Sequence, residues 1–350
     1  MAKRAMLQGL AGVGLVAGCL SLMSVGMEMA RAQSGPYKIL TTAKVGGEGG
    51  FDYVYADAAG RKLYVPRLGA EGKVAVYDLD TLKPAGEIAG ASGHGVAVAA
   101  GHGFASSKPV AMWDAGTLGT MKTIDVQGGP DGIFADPFND RVYVFSHSAP
   151  NATVIDAKDG TVVGTIDLGG APEQAVSDGK GHLYVDLEDK GKIAVVDAKT
   201  LAVTATYDLQ GKGGECAGLA IDAKHGILFA ACREPQTMVM LKASDGTILA
   251  TLPIGKGTDG AVFNPATGEA FSSQGDGTLT IVKEKSPANF VVEQTLTTLP
   301  RAKTLTLDAK TNRLYLITAE FGATPAAVEG QRPARPPMVP GTFSILVVGK

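Results

Sequence analysis

A short pattern recurs along almost the whole chain, and it constrains the fold more than any other feature. An apolar–x–apolar–Asp run is followed by a few turn residues and then a β-rich run with a central aromatic. The aspartate-like position falls at Asp57, Ala99, Asp136, Asp178, Asp222, Asn264 and Asp308, at spacings of 42, 37, 42, 44, 42 and 44 residues. The aromatic follows at Tyr64, Phe104, Tyr143, Tyr184, Phe229, Phe271 and Tyr315. A fixed period of this size signals an array of like supersecondary units, none of which can bury its apolar face alone.

Each unit reads as four short strands. In the third, Gly132–Ala135 is strand a, Arg141–Phe145 strand b, Ala152–Ile155 strand c and the run 161–168 strand d. Pro137 and Asn139 supply a turn between a and b, and β-branched residues fill the runs. No segment sustains a 3.6-residue period, so helices are expected to be few. Four strands per unit of about 42 residues is the signature of a propeller blade. The sequence therefore predicts an all-β, seven-bladed β-propeller of four antiparallel strands per blade. Tyr37–Val45 reads as a strand d standing ahead of the first unit, whereas the last unit ends at strand c, Phe343–Val348. The N-terminal strand is expected to close the last blade, hiding two edges that would otherwise pair with other chains.

The N-terminus predicts export. Lys3 and Arg4 precede an uncharged, mostly apolar stretch from Met6 to Met27, and Ala30-Arg31-Ala32 offers a cleavage site. Residues 1–32 thus read as a cleaved signal peptide and 37–350 as one propeller domain in the periplasm or secreted. A lipoprotein signal ending at Cys19 is the alternative reading. No further stretch is long and apolar enough to span a bilayer. Residues 321–341 form an insertion with five prolines, expected to be an extended or mobile loop. The net charge is −3, with 32 Lys+Arg against 35 Asp+Glu, so neither nucleic acid nor an anionic membrane surface is an expected partner. A closed ring needs no second copy, so a monomer is expected. Cys216 and Cys232 flank the a–b hairpin of the fifth unit. A turn near Ala223–Gly226 sets them opposite one another, which predicts a disulfide, with a free-thiol pair able to hold a soft metal as the alternative.

At this point the chain resembles a known family. Leu63-Tyr64-Val65, Val142-Tyr143-Val144-Phe145 and Leu183-Tyr184-Val185 resemble the "YVTN" strand of YVTN-repeat, YncE-like propellers. Val74-Ala75-Val76-Tyr77-Asp78 and Ile193-Ala194-Val195-Val196-Asp197 resemble the strand that follows it. The likeness covers nearly all of 37–350 and implies a periplasmic or secreted seven-bladed propeller, a fold shared by lactonases, lyases and binding proteins. The fifth to seventh units depart from it, with Leu228-Phe229-Ala230-Ala231 and Ala270-Phe271-Ser272-Ser273 in place of that strand.

In a propeller the loops entering strand a and those joining b to c converge on one face of the axial channel. Aligned repeats put Asp52, His94, Asp131, Glu173, Ala217, Asp259 and Lys303 just before strand a. The b–c loops add Arg67, Lys108, His147, Glu188, Arg233, Gln274 and Glu320. Three readings compete for this ring. It is a solvated channel mouth. Or Asp52, His94, Asp131, Glu173 and Asp259 gather a divalent metal, Ca²⁺ through oxygens or a transition ion through imidazole. Or it is an active site in which a carboxylate or His94 moves a proton while Arg67, Arg233 or Lys303 holds a substrate carboxylate. The first function expected is a binding or scaffold propeller presenting this face to a small ligand, a metal or a protein; the second is a lactonase- or lyase-type enzyme. His102, His182 and His225 fall in a–b turns on the opposite face and read as solvated turn residues.

Overall fold

The computed structural model describes residues 35–325 and 336–350. Both the leader and the centre of the proline-rich insertion lie outside the described residues. Twenty-eight strands form seven four-stranded antiparallel sheets, one per blade. β1 (Lys38–Lys44) precedes blade one, which is β2 (Tyr55–Asp57), β3 (Lys62–Arg67), β4 (Lys73–Asp78) and β5 (Pro84–Ala89). Blade two is β6 (Val96–Ala99), β7 (His102–Ala105), β8 (Val110–Asp114) and β9 (Thr120–Ile124). Blade three is β10 (Pro130–Asp136), β11 (Arg141–Ser146), β12 (Ala152–Asp156) and β13 (Val162–Ile166). Blade four is β14 (Pro172–Ser177), β15 (His182–Leu187), β16 (Lys192–Asp197) and β17 (Ala202–Asp208). Blade five is β18 (Cys216–Asp222), β19 (Ile227–Cys232), β20 (Thr237–Lys242) and β21 (Ile248–Pro253). Blade six is β22 (Thr258–Asn264), β23 (Glu269–Gln274), β24 (Thr278–Ser286) and β25 (Asn289–Thr297). Blade seven is β26 (Leu305–Asp308), β27 (Arg313–Thr318), β28 (Ser344–Gly349) and, on its outer edge, β1. The closure expected from the sequence is therefore present, with Lys38 opposite Gly349 and Lys44 opposite Ser344. Among the described residues no helix is long and apolar enough to cross a membrane.

The repeated aromatic explains why the blades stay together. Tyr64, Phe104, Tyr143, Tyr184, Phe229, Phe271 and Tyr315 are all buried on the b strands, and each enters a different apolar cluster shared by its own blade and the next. Seven interfaces thus receive one large side chain each. Burying such a side chain contributes about 1.5–3 kcal/mol per interface.

The inner strands approach so closely that side chains are excluded. The position after the channel-mouth residue is glycine in four blades: Gly95, Gly132, Gly218 and Gly260. A Cβ at Gly218 would lie 2.7 Å from the Gly260 carbonyl carbon, and one at Gly132 2.6 Å from the Glu173 carbonyl oxygen. Neither glycine has a positive φ, so proximity rather than backbone conformation selects them.

Cys216 and Cys232 stand opposite one another in the β18–β19 ladder and form a disulfide with sulfurs 2.05 Å apart. The described part of the proline-rich insertion forms a paired stem, in which Gly322 N–H donates to the Pro337 carbonyl and Val339 N–H to that of Glu320, both at 2.8 Å. Phe321 of this stem packs toward Phe51, ring centroids 6.4 Å apart, and so lies beside the channel mouth.

Two measurements test this architecture. Gly218→Ala should lower unfolding stability by about 1–3 kcal/mol, the usual cost of overpacking. Gly129→Ala, whose Cβ would meet nothing within 4 Å, should stay within about 0.5 kcal/mol of wild type in the same denaturant titration. Protein lacking residues 1–32 should show no titratable thiol until it is denatured and reduced. Replacing both cysteines by alanine should cost roughly 2–4 kcal/mol, since the bridge closes a loop of 16 residues.

Candidate functional site

The loops entering strand a converge as the repeat alignment requires, and their side chains form a ring at one end of the axial channel. The His94 Nδ1 atom lies 2.8 Å from Asp52 Oδ2 and 3.3 Å from Asp131 Oδ1. The other oxygen of Asp131 faces His147 Nε2 at 3.5 Å, and that nitrogen lies 3.8 Å from Glu173 Oε1. On the far side, Lys303 pairs with Asp259 and lies 3.4 Å from Asp52 Oδ1. Arg233 pairs with both Asp259 and Glu188, and its Nε–H donates to the Thr258 carbonyl at 3.0 Å.

Blade five contributes Ala217 at the strand-a position, which would leave a gap. Glu188 and Arg233 from b–c loops continue the ring there. The order around the mouth is then Asp52, His94, Asp131, His147, Glu173, Glu188, Arg233, Asp259 and Lys303, returning to Asp52. Acids alternate with cations or imidazoles except at one junction, Glu173 beside Glu188.

That junction sets the electrostatics. Burial, then the hydrogen bond and negative charge of Glu188, push the Glu173 carboxyl up to about 9. It holds a proton at neutral pH. Tyr53 O–H donates to Glu173 Oε2 at 2.8 Å. Burial also raises Asp131 above the ordinary carboxylate value, only partly offset by the charges of the two histidines. The hydrogen bond to Asp52 raises His94, against the opposing effect of burial. Burial tends to raise Asp52 in turn, but the His94 hydrogen bond and the Lys303 charge hold it below the usual value.

Beneath the ring lies the axial channel, a cavity of about 440 Å³ lined by inner-strand residues such as Val54, Ile133, Leu219 and Leu305. Gln174 crosses it. The Gln174 Oε1 atom accepts the backbone N–H of Leu219 and of Ala261, and Nε2 donates to the Ala261 carbonyl, each at 3.0 Å. Asp186 lies fully buried behind it, accepts the Gln174 N–H at 2.7 Å, and is pushed well above its ordinary value by burial.

Of the residues singled out from sequence, the structure brings Asp52, His94, Asp131, His147, Glu173, Arg233, Asp259 and Lys303 together. It places Arg67 and Gln274 elsewhere. Arg67 is buried with its guanidinium 3.9 Å above the Phe343 ring, and donates to the carbonyls of Gly46 and Gly49. Gln274 is fully buried and bonded to the Ser272 carbonyl and the hydroxyls of Thr278 and Thr280. Both side chains fold back onto their own surroundings because those backbone and hydroxyl groups need partners. Asp259, named as a metal ligand, is instead neutralised by Arg233 and Lys303.

Tyr53 and Gln174 were missed, although a signal existed. Both occupy the position that is glycine in four other blades, and so does Thr304, whose hydroxyl donates to the Asp52 carbonyl at 2.7 Å. Breaks in the glycine pattern mark side chains that enter the channel region.

The raised Glu173 makes a stability prediction. A group whose folded value lies above its unfolded one contributes fully below the unfolded value, and that contribution is lost as pH rises toward the folded one. For Glu173 the window runs from 4.5 to about 9. Glu173→Gln should therefore flatten the decline of unfolding stability across that window, measured by denaturant midpoints at successive pH values. An unchanged slope would show that Glu173 is ionised in the folded protein.

No family model matches the chain. Two bacterial relatives, each described as Uncharacterized protein YncE, come from Salmonella typhi and Salmonella typhimurium. Each is 25% identical over 171 residues, covering 44% of this chain and 46% of the relative. The matched stretch thus spans about half the length of these curated relatives. A chain of a solved structure titled Crystal Structure of Mitotic Checkpoint Complex superposes with a TM-score of 0.69 at 12% identity, covering 90% of this chain and 96% of its own length. That likeness is one of fold alone. The chain is thus a seven-bladed β-propeller, similar in sequence to YncE over part of its length.

Proposed function

We propose that this protein is an exported binding propeller whose channel mouth holds a divalent transition-metal ion and, through it, a small ligand. One observation carries the reading: the two oxygens of Asp131 face His94 and His147, at 3.3 and 3.5 Å. Asp52, His94 and Asp131 bring one set of ligand atoms within 4.8 Å of one another, and Asp131, His147 and Glu173 bring a second. The two sets share Asp131. Half of the ring is already neutralised by Lys303 and Arg233. The other half has three carboxyl groups and two imidazoles, of which only Asp52 has a permanent cation in reach, Lys303 at 3.4 Å, and a divalent ion would supply the missing charge. Two imidazole donors favour a first-row transition ion over Ca²⁺, which prefers oxygen ligands throughout. Export is supported by the leader-like first 32 residues and by the disulfide, which persists in oxidising compartments.

A second reading is favoured by Glu173. A carboxyl group that keeps its proton at neutral pH, beside a mouth lined by Lys303 and Arg233, has the equipment of a general acid with a carboxylate-holding partner. This is the lactonase- or lyase-type alternative.

The two readings separate by measurement. Protein dialysed against Zn²⁺ and then against metal-free buffer should retain at least one equivalent that a His94→Ala/His147→Ala double variant lacks, read by elemental analysis. Equal zinc in both proteins would defeat the mouth as a metal site. In a lactone-hydrolysis screen, turnover by wild type that disappears in Glu173→Gln with zinc content unchanged would establish the enzyme reading instead.

A further inference from the structure

A second cluster lies at the opposite end of blade five, away from the channel mouth. Asp222 ends β18, His225 sits in the turn to β19, and Glu284 belongs to β24 of the neighbouring blade. The His225 Nδ1 atom is 2.5 Å from Asp222 Oδ2 and 3.1 Å from Glu284 Oε1. The three ligand atoms lie within 4.8 Å of one another. His225 is an exposed turn residue, as the sequence reading expects, and it also faces two acids there.

Glu284 is the anomaly. In the repeat, a backbone N–H near the end of strand c reaches back to the a–b turn of its own blade: Leu79 to Arg61, Ala115 to Gly101, Ala157 to Asp140, Ala198 to Gly181, Ala243 to Gly226 and Glu284 to Gly268. Four blades put alanine there and one puts leucine, all buried. Only blade six puts an acid in that series. Its side chain is 3% exposed, neither carboxylate oxygen makes an aligned hydrogen bond, and its charge partner is His225 Nδ1 at 3.1 Å. A buried acid without an aligned donor is costly, and removing it would take only the alanine used elsewhere. The pocket that Asp222, His225 and Glu284 line, with Phe263 and Pro265, has a volume of about 340 Å³ and opens to the surface.

We infer that Asp222, His225 and Glu284 form a second metal site, binding a divalent transition ion between blades five and six. Two carboxylates and one imidazole nitrogen suit zinc, manganese or iron(II), and the partly exposed His225 leaves a side open for water to complete the shell. Asp222 is preset for the role, because its Oδ1 accepts the backbone N–H of Lys224 and His225, which fixes the carboxylate and leaves Oδ2 facing the pocket. Since the donors come from two blades, a bound ion fastens the blade five–blade six interface.

The experiment uses Zn²⁺ as the probe and protein carrying His94→Ala and His147→Ala, so that the channel mouth does not contribute. That background should bind one equivalent of zinc by isothermal titration, and zinc should raise its melting temperature. Adding Glu284→Ala should abolish both effects, and Glu284→Gln or His225→Ala should weaken binding by about tenfold or more. Glu284→Ala restores the side chain that four other blades carry, so its metal-free form should melt no lower than the background. A background that binds no zinc, or one whose zinc survives Glu284→Ala, overturns the site. If the channel mouth takes no metal, wild type and background bind alike while Glu284→Ala removes all the zinc, so the two sites stand or fall separately.

Discussion

The ring exists because one strand from the beginning of the chain completes a sheet made from its end. β1 pairs along its length with β28, and without that ladder β28 would be an open edge. The residue just before β1 is fastened separately. The Tyr37 N–H donates to Gln294 Oε1 and its carbonyl accepts from Gln294 Nε2, both at 2.9 Å, so a side-chain amide of blade six imitates a strand neighbour. The Tyr37 hydroxyl donates to the buried Glu269, which also pairs with Lys350 at 2.8 Å. The first strand and the last residue thus meet at one carboxylate. Closing so long a loop costs only slightly more entropy than closing a short one, because the penalty grows with the logarithm of length. The channel mouth is a consequence. Its nine side chains come from all seven blades, and they stay within ion-pair distance only while the circle is shut.

Against a repeated background, departures carry information. Blade five supplies Ala217 where the other six blades supply an ionisable ring residue, and Glu188 and Arg233 fill the space. Tyr53, Gln174 and Thr304 replace glycine, and each bonds across the channel region. Glu284 replaces alanine and is buried against Asp222 and His225. Of these departures, Glu284 is the one buried without an aligned hydrogen bond, a desolvation cost that the repeat's alanine avoids.

The fold was legible because its signal is periodic. A single aromatic at Tyr143 says little, but seven at matching offsets fix blade count, strand order and closure together. The strand-a half of the mouth was legible for the same reason: Asp52, His94, Asp131, Glu173, Asp259 and Lys303 are placed by register, which the repeat specifies. The b–c half was legible only in part. Those loops differ in length and shape, so repeat position does not set the direction of a side chain. Arg67 lies on Phe343 and Gln274 turns inward, while His147 and Arg233 at like positions reach the ring. Glu284 was invisible because its meaning lies in which blade end it faces. Sequence gives the ladder within a blade, but not that the end of strand c packs against the preceding blade's a–b turn.

One rigid element joins the two candidate sites. β18 and β19 form a hairpin whose ladder runs from Cys216↔Cys232 to Asp222↔Ile227. At one end the disulfide adjoins Ala217 and Arg233, the point where the mouth changes from strand-a to loop residues. At the other end stand Asp222 and His225. Seven residues of extended chain span about 20 Å, roughly the depth of the ring. The hairpin is crosslinked at one end and its strands are buried at every position but Ile221. Arg233 pairs with the acids of two blades, Glu188 and Asp259, and Asp222 meets Glu284 across the same blade five–blade six interface. Any change in the spacing of those two blades must therefore be felt at both faces, through the charge pairs of Arg233 on one side and the carboxylates around His225 on the other.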